Sequence, residues 1–124
     1  MATTRIIPMH NNKGKTISQS LKARIDYVKN PEKTNGGELI TAYACSPETA
    51  DAEFLLARNE YLATTGRTHR NEVIAYQLRQ SFKPGEVTPE EANQIGYELA
   101  SQFLRGDHAF IVATHNDRRH IHNH

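Results

Sequence analysis

The five residues "HNDRR", His115 to Arg119, separate two stretches that both read as strands, "HAFIVAT" before them and "HIHNH" after. Parallel neighbours need a crossover of roughly a dozen residues or more, so a link this short closes an antiparallel hairpin. That spacing decides between folds that the rest of the chain leaves open. Upstream, strand and helix patterns alternate: "TTRIIP", the helical "KTISQSLKARIDYVKNP", "ELITAYACS", the helical "SPETADAEFLLARNEYLATTG", "NEVIAYQLRQSF" and the helical "TPEEANQIGYELASQFLRG". Such alternation alone suits a parallel α/β sheet. With the hairpin, the expected fold is α+β, a largely antiparallel sheet covered by helices.

The helices carry their own boundary signals. In the first, Ile17, Leu21, Ile25 and Val28 recur at helical spacing, Thr16 or Ser18 can cap the start, and Pro31 lies just past the end. In the second, Ser46 is the expected cap and Pro47 the first helical residue, with Glu48 and Asp51 at the positive end of the dipole. Phe54, Leu55, Ala57, Tyr61 and Leu62 form its expected buried face, and Gly66 ends it. The third has Thr88 as cap, Pro89 next, Glu91 three residues on and Gly106 at the end. Its expected core stripe is Ala92, Ile95, Leu99 and Phe103. Asn35 to Gly37 form a turn leading into the second strand.

A chain of 124 residues is expected to be one domain, 1–124, with a single modest core. No apolar run approaches the roughly 20 residues that span a bilayer, and the N-terminus lacks the apolar core of a secretion signal. No membrane association is expected, and the expected location is cytoplasmic. The single cysteine, Cys45, excludes an internal disulfide and a multi-cysteine zinc site. Net charge is only +1, but Lys13, Lys15, Lys22, Arg24, Lys29 and Lys33 crowd the first third. Locally, that basic cluster suits a polyanion better than the total does.

Four of the seven histidines fall in the last ten positions: His115, His120, His122 and His124. Along a strand, residues two apart share a face, so His120, His122 and His124 point one way and Ile121 the other. His115 can come alongside them across the hairpin. Neighbouring neutral imidazoles are suited to holding a metal ion. Asp117 could accept a hydrogen bond from one of them and fix its tautomer. With all four as ligands the site could be a structural zinc; with fewer, it keeps open positions for chemistry. A merely solvated polar strand is the bland alternative.

Tyr27 lies about 200° around the first helix from Ile25, so it points away from the apolar stripe, together with Ala23 and Ser20. A half-exposed surface tyrosine is the ordinary reading. Beside a histidine metal site a second reading opens, because a phenol can attack a phosphodiester once its proton is removed and the phosphate charge is neutralised.

Together these stretches resemble the relaxases, the mobilisation nucleases of plasmids and integrative elements, within the larger class of endonucleases named for a His-hydrophobic-His motif. The likeness is to the branch that includes the plant-tumour plasmid nickase and the conjugative-transposon relaxases. "SLKARIDYVKNPEKT" resembles the branch's first motif, "RQSFKPGEVTPEEANQIGYELASQFL" its middle segment and "HNDRRHIHNH" its third motif. The resemblance implies that Tyr27 is the nucleophile, that His115, His122 and His124 hold the metal, and that Asp117 orients a ligand. His120 matches less strictly. Ser81 matches the middle-motif serine near the DNA, with Arg24 and Lys29 beside the tyrosine on the DNA-binding side.

The implied fold is a five-stranded antiparallel sheet with the metal at its centre and the tyrosine helix alongside. The implied activity is nicking of single-stranded DNA at an origin of transfer, leaving a 5′-phosphotyrosyl link and a free 3′-hydroxyl. Magnesium or manganese is the implied metal, although three imidazoles hold zinc or nickel more tightly by ligand preference. Accessory mobilisation proteins and a type IV secretion coupling protein are implied partners. In the family the histidine strand runs on, whereas here the sequence stops at His124, so the expected domain is incomplete at its C-terminus. A DNA-binding remnant that does not nick, and a small protein built on a structural zinc, are the competing expectations.

Overall fold

In the computed structural model, residues 2–11, 13–66 and 73–124 are described. Eight elements follow one another: β1 (Thr3–His10), α1 (Ile17–Val28), β2 (Ile40–Tyr43), α2 (Ala50–Thr65), β3 (Val73–Ser81), α3 (Pro89–Leu104), β4 (Phe110–His115) and β5 (His122–Asn123). The strands form one sheet in the order β1-β3-β5-β4-β2, and every adjacent pair is antiparallel. The fold is therefore the α+β arrangement that the short hairpin demanded. The third predicted strand began at Asn71, and its first two residues lie outside the described ones.

Two helices start where their sequences say. Thr16 caps α1 and Thr88 caps α3, each with a full capping box in which Gln19 or Glu91 reaches back to the cap N–H. Leu21, Ile25 and Val28 of α1 are buried as expected, and Ile17 is half-buried. Asn35, Gly36 and Gly37 take positive φ of 52°, 70° and 91°, a run of left-handed residues that two glycines make affordable before β2.

Three local expectations need correction. Helix α2 begins at Ala50, not Pro47, and its cap position Thr49 makes no side-chain capping bond. Ser46 is no cap: Glu53 reaches back, accepting from the Ser46 N–H and the Thr49 hydroxyl, and so holds Pro47–Thr49 as a turn ahead of the helix. Nor does α2 bury the face assigned to it. Ala57 and Tyr61 are exposed and Phe54, Leu55 and Leu62 only half-buried, because α2 packs on α1 and not on the sheet. On α3 the buried residues are Ala92, Asn93 and Gly96, while Phe103 is 55% exposed. The helix sits too close to the sheet for a stripe of large side chains.

That close approach is made by polar groups. The amide of Asn123 in β5 donates to Gln80 Oε1 at 2.9 Å and to the Ala92 carbonyl at 2.7 Å, and accepts from the Thr114 hydroxyl at 2.6 Å. Asn93 in turn donates to the Leu39 carbonyl at 2.9 Å and to Thr114 Oγ1 at 3.1 Å. All four side chains are buried, so each bond is one whose loss strands a desolvated group, at about 1–3 kcal/mol. A Cβ on Gly96 would fall 2.6 Å from Asn123 Nδ2 and 2.9 Å from Val112 Cγ1. Gly96 is the gap through which β5 is anchored to α3.

Candidate active site

Strand alternation turns that anchor into a positioning device. Asn123 points into the α3 side of the sheet, so its neighbours His122 and His124 must point to the other face, where α1 lies. Register places His122 opposite His115 on β4 and opposite Ser81 on β3. The result is a cluster of His115, His122 and His124, each offering a ring nitrogen, with these atoms all within 4.8 Å of one another. Ring centroids are 4.3 Å apart for His115–His124, 5.0 Å for His122–His124 and 5.1 Å for His115–His122.

Hydrogen bonds settle which nitrogen of each ring is left for a ligand. His115 is 1% exposed, and its Nε2–H donates to the Val28 carbonyl at the end of α1 at 2.8 Å, leaving Nδ1. His122 Nδ1 lies 3.1 Å from the His120 carbonyl, leaving Nε2. His124 Nδ1 lies 2.8 Å from the Gln77 side-chain amide and its buried Nε2 has no hydrogen-bond partner; with the Gln77 amide turned so that Oε1 accepts from Nδ1–H, Nε2 carries the free lone pair. A buried, unpartnered imidazole nitrogen facing two others fits a nitrogen-ligated divalent cation.

The electrostatics agree. Burial pushes the His124 imidazole down to about 3, with the charges of His115, His122, Arg79 and Arg24 adding to the effect. Burial likewise holds His115 below the usual histidine range, against the Val28 hydrogen bond that favours its charged form. Burial thus favours the neutral, lone-pair-bearing form of His115 and His124.

Tyr27 stands at the rim of this cluster, 48% exposed, with its ring edge-on to His115 at 6.1 Å and to His124 at 6.3 Å. Arg24, one turn earlier on α1, has its guanidinium carbon 5.9 Å from the tyrosine ring centre. An open groove of about 460 Å³ begins here and runs between α1 and β1 past Ser20, Asn11, Met9 and Gln77.

Other sequence assignments fare differently. Ser81 is half-buried beside His122. Asp117 is exposed in the hairpin loop; the acceptor that orients His115 is the Val28 carbonyl, and Asp117 acts on that ring only through its charge. His120 is exposed and stands outside the three-nitrogen cluster, which leaves a four-histidine structural zinc without its fourth ligand. Lys29 does not face a ligand, because its ammonium is bonded to the Pro47 carbonyl, tying α1 to the turn before α2.

The residue that sequence reasoning passed over is Lys33. Its ammonium lies 3.5 Å from the Tyr27 hydroxyl and 4.7 Å from the ring centre. The hairpin holds it there, since the Asn116 N–H donates to the Lys33 carbonyl at 2.9 Å. Only its place among the basic residues of the first third hinted at a role.

Comparison with known proteins identifies the family. Residues 27–124 match the family described as "Relaxase: MobA/VirD2-like, nuclease domain". Over 124 aligned residues the chain is 36% identical to Protein rlx of Staphylococcus aureus, covering 100% of this chain and 31% of that one. It is 31% identical to the group II intron-interrupted relaxase LtrB of Lactococcus lactis subsp. cremoris, covering 79% of this chain and 21% of that one. The chain thus spans about a third or less of the length of these relatives. No solved structure matches it significantly. The chain belongs to the MobA/VirD2-like relaxase nuclease family.

Proposed function

We propose that this chain performs the DNA-nicking step of a mobilisation relaxase, cutting one strand at an origin of transfer with Tyr27 as nucleophile. The observation that carries the reading is the seating of an exposed tyrosine against two of three clustered imidazoles. His115, His122 and His124 would hold a divalent cation, which when bound supplies Lewis-acid polarisation of the scissile phosphate. Three nitrogen ligands favour zinc or nickel by affinity, while the family resemblance implies magnesium or manganese.

The chain's own groups do the rest. Tyr27 Oη loses its proton and attacks phosphorus; the bond from phosphorus to the 3′-oxygen breaks, and that oxygen takes up a proton to become a 3′-hydroxyl. One phosphodiester is exchanged for another, so the reaction is reversible without an added energy source. Lys33 holds positive charge beside the phenol oxygen, where negative charge appears as the proton leaves before attack and again when Tyr27 departs on rejoining. Val28, His120 and Gln77 keep the three rings oriented. Arg24 and Ser81 flank the site on the DNA side. Accessory mobilisation proteins and a secretion coupling protein would act on the product.

The test is covalent capture. The chain is incubated with manganese and a pool of single-stranded oligonucleotides, and denaturant-resistant protein–DNA adducts are scored by gel shift. Adducts are expected from the parent, and none from Tyr27→Phe, His124→Ala or chelated samples. Adducts that persist in Tyr27→Phe would overturn the assignment of the nucleophile.

A further inference from the structure

On the same face of the sheet as the histidines lies a pair of arginines that nothing in the nicking step uses. Register sets Arg5 of β1 directly opposite Arg79 of β3. Arg79 is two residues from Ser81, which lies opposite His122, so it shares their face. Spacing between neighbouring strands of about 4.8 Å puts Arg79 one strand and Arg5 two strands from β5.

Two features make this pair unfavourable as it stands. Like charges directly opposite on antiparallel neighbours repel, and neither arginine has an acidic partner among the described residues. The Nε of Arg79 is moreover buried with no hydrogen-bond partner. A buried guanidinium N–H left unpaired is costly, and both defects are relieved by one anion. Guanidinium forks match the oxygens of a phosphodiester.

We propose that Arg5 and Arg79 form a second phosphate-binding site, which holds a backbone phosphate of the bound DNA strand so that the strand crosses from the histidine cluster over β3 toward β1. This rests on the reading of Tyr27 and the histidines as a nicking site, but its test does not require nicking. The pair is a positioning device: it fixes the path of the DNA and touches no reacting atom.

The test uses the chain carrying Tyr27→Phe, with chelator present and a fluorescent single-stranded thymidine homopolymer as probe, titrated across a series of salt concentrations. Arg5→Gln and Arg79→Gln are each expected to weaken binding about tenfold. Each should also lower the slope of log affinity against log salt by about 0.7, the value for one phosphate contact on single-stranded DNA. Arg105→Gln, at the C-terminal end of α3 on the opposite face, removes the same charge and is expected to leave the slope unchanged. Without DNA, Arg5→Gln and Arg79→Gln should melt higher than the parent, because the repulsion is gone. Opposite signs in stability and binding are what a merely structural role does not produce.

Slopes for Arg5→Gln and Arg79→Gln that match Arg105→Gln would overturn the inference, as would a parent that binds polyglutamate through these arginines but not the homopolymer. Should Arg79→Gln fail to fold, Arg5→Gln on the exposed edge strand decides the matter alone. Scored beside covalent capture by the parent, the two readings separate. Capture with arginine-independent binding removes this inference only, and arginine-dependent binding without capture removes the nicking assignment only.

Discussion

Replacing Gly96 with alanine tests whether α3 really sets the position of the histidine strand. By helix propensity alone the change should stabilise, since alanine is better than glycine by about 1 kcal/mol in a helix interior. The structure reverses the sign. The new methyl would fall 2.6 Å from Asn123 Nδ2, 3.0 Å from its Cγ and 2.9 Å from Val112 Cγ1. Overpacking a closed core costs about 1–3 kcal/mol, with a middle value near 2. Displacing the Asn123 amide breaks at least one of its buried bonds to Gln80 or Ala92, about 2 kcal/mol more. Against the gain of about 1, the net loss is about 3 kcal/mol, or roughly 12 °C in melting temperature for a chain of this size. Calorimetry of the metal-free chain reads it directly. Gly96→Ala in an Asn123→Ala background removes the two contacts with Asn123 and leaves only Val112 Cγ1 at 2.9 Å, so there the alanine should cost clearly less, and the double-mutant cycle isolates the coupling. A single variant that melts at or above the parent would refute the proposed contact between α3 and β5.

Further outcomes follow from the site. In the metal-free chain, His124 has a folded-state pKa of about 3, below its unfolded value of about 6.5, so the unfolded chain binds the extra proton between them. Stability should therefore fall as pH drops through this window, and His124→Gln should flatten part of the slope in pH-dependent melts; parallel curves would argue against a buried neutral ring. Cobalt titration followed by visible absorption should show one site per chain, lost in His122→Ala, with chelation leaving the far-ultraviolet dichroism unchanged; unfolding on chelation would point to a structural ion instead. Lys33→Gln should slow covalent capture about a hundredfold while leaving DNA affinity within a few-fold, with Lys33→Arg recovering most of the rate. Equal rates in Lys33→Gln and the parent would remove it from the chemistry.

What could be read in advance was whatever the chain encodes over a few residues. The capping boxes of Thr16 and Thr88, the antiparallel hairpin after His115 and the shared face of His122 and His124 depend on spacings of two to six positions. The start of α2 failed because Glu53, seven residues from Ser46, captures that N–H and delays the helix. The stripe of α3 held at Ala92 and in part at Ile95 and Leu99, but Phe103 is exposed and Asn93 and Gly96, poor core residues by type, are buried, because Gly96 packs against the polar Asn123 from the far end of the chain. Lys33 was invisible as a neighbour of Tyr27 because the loop that returns it to the tyrosine is pinned by Asn116. The Val28 carbonyl that orients His115 was unreadable for a similar reason: a backbone carbonyl carries no sequence signature.

The strand order has a consequence for the birth of this domain. β1 with β3, and β2 with β4, are two ribbons joined within the sheet by β5, and β5 is the stretch synthesised after both. While the chain emerges, each ribbon can zip, yet the gap between them stays open until His122 and Asn123 slot in. Such late, distant closure is the pattern of a high-contact-order, slow-folding topology. Completion of the sheet and assembly of the imidazole cluster are then a single kinetic event. A nascent chain in which β5 has not yet docked has His115 in place without His122 and His124 beside it.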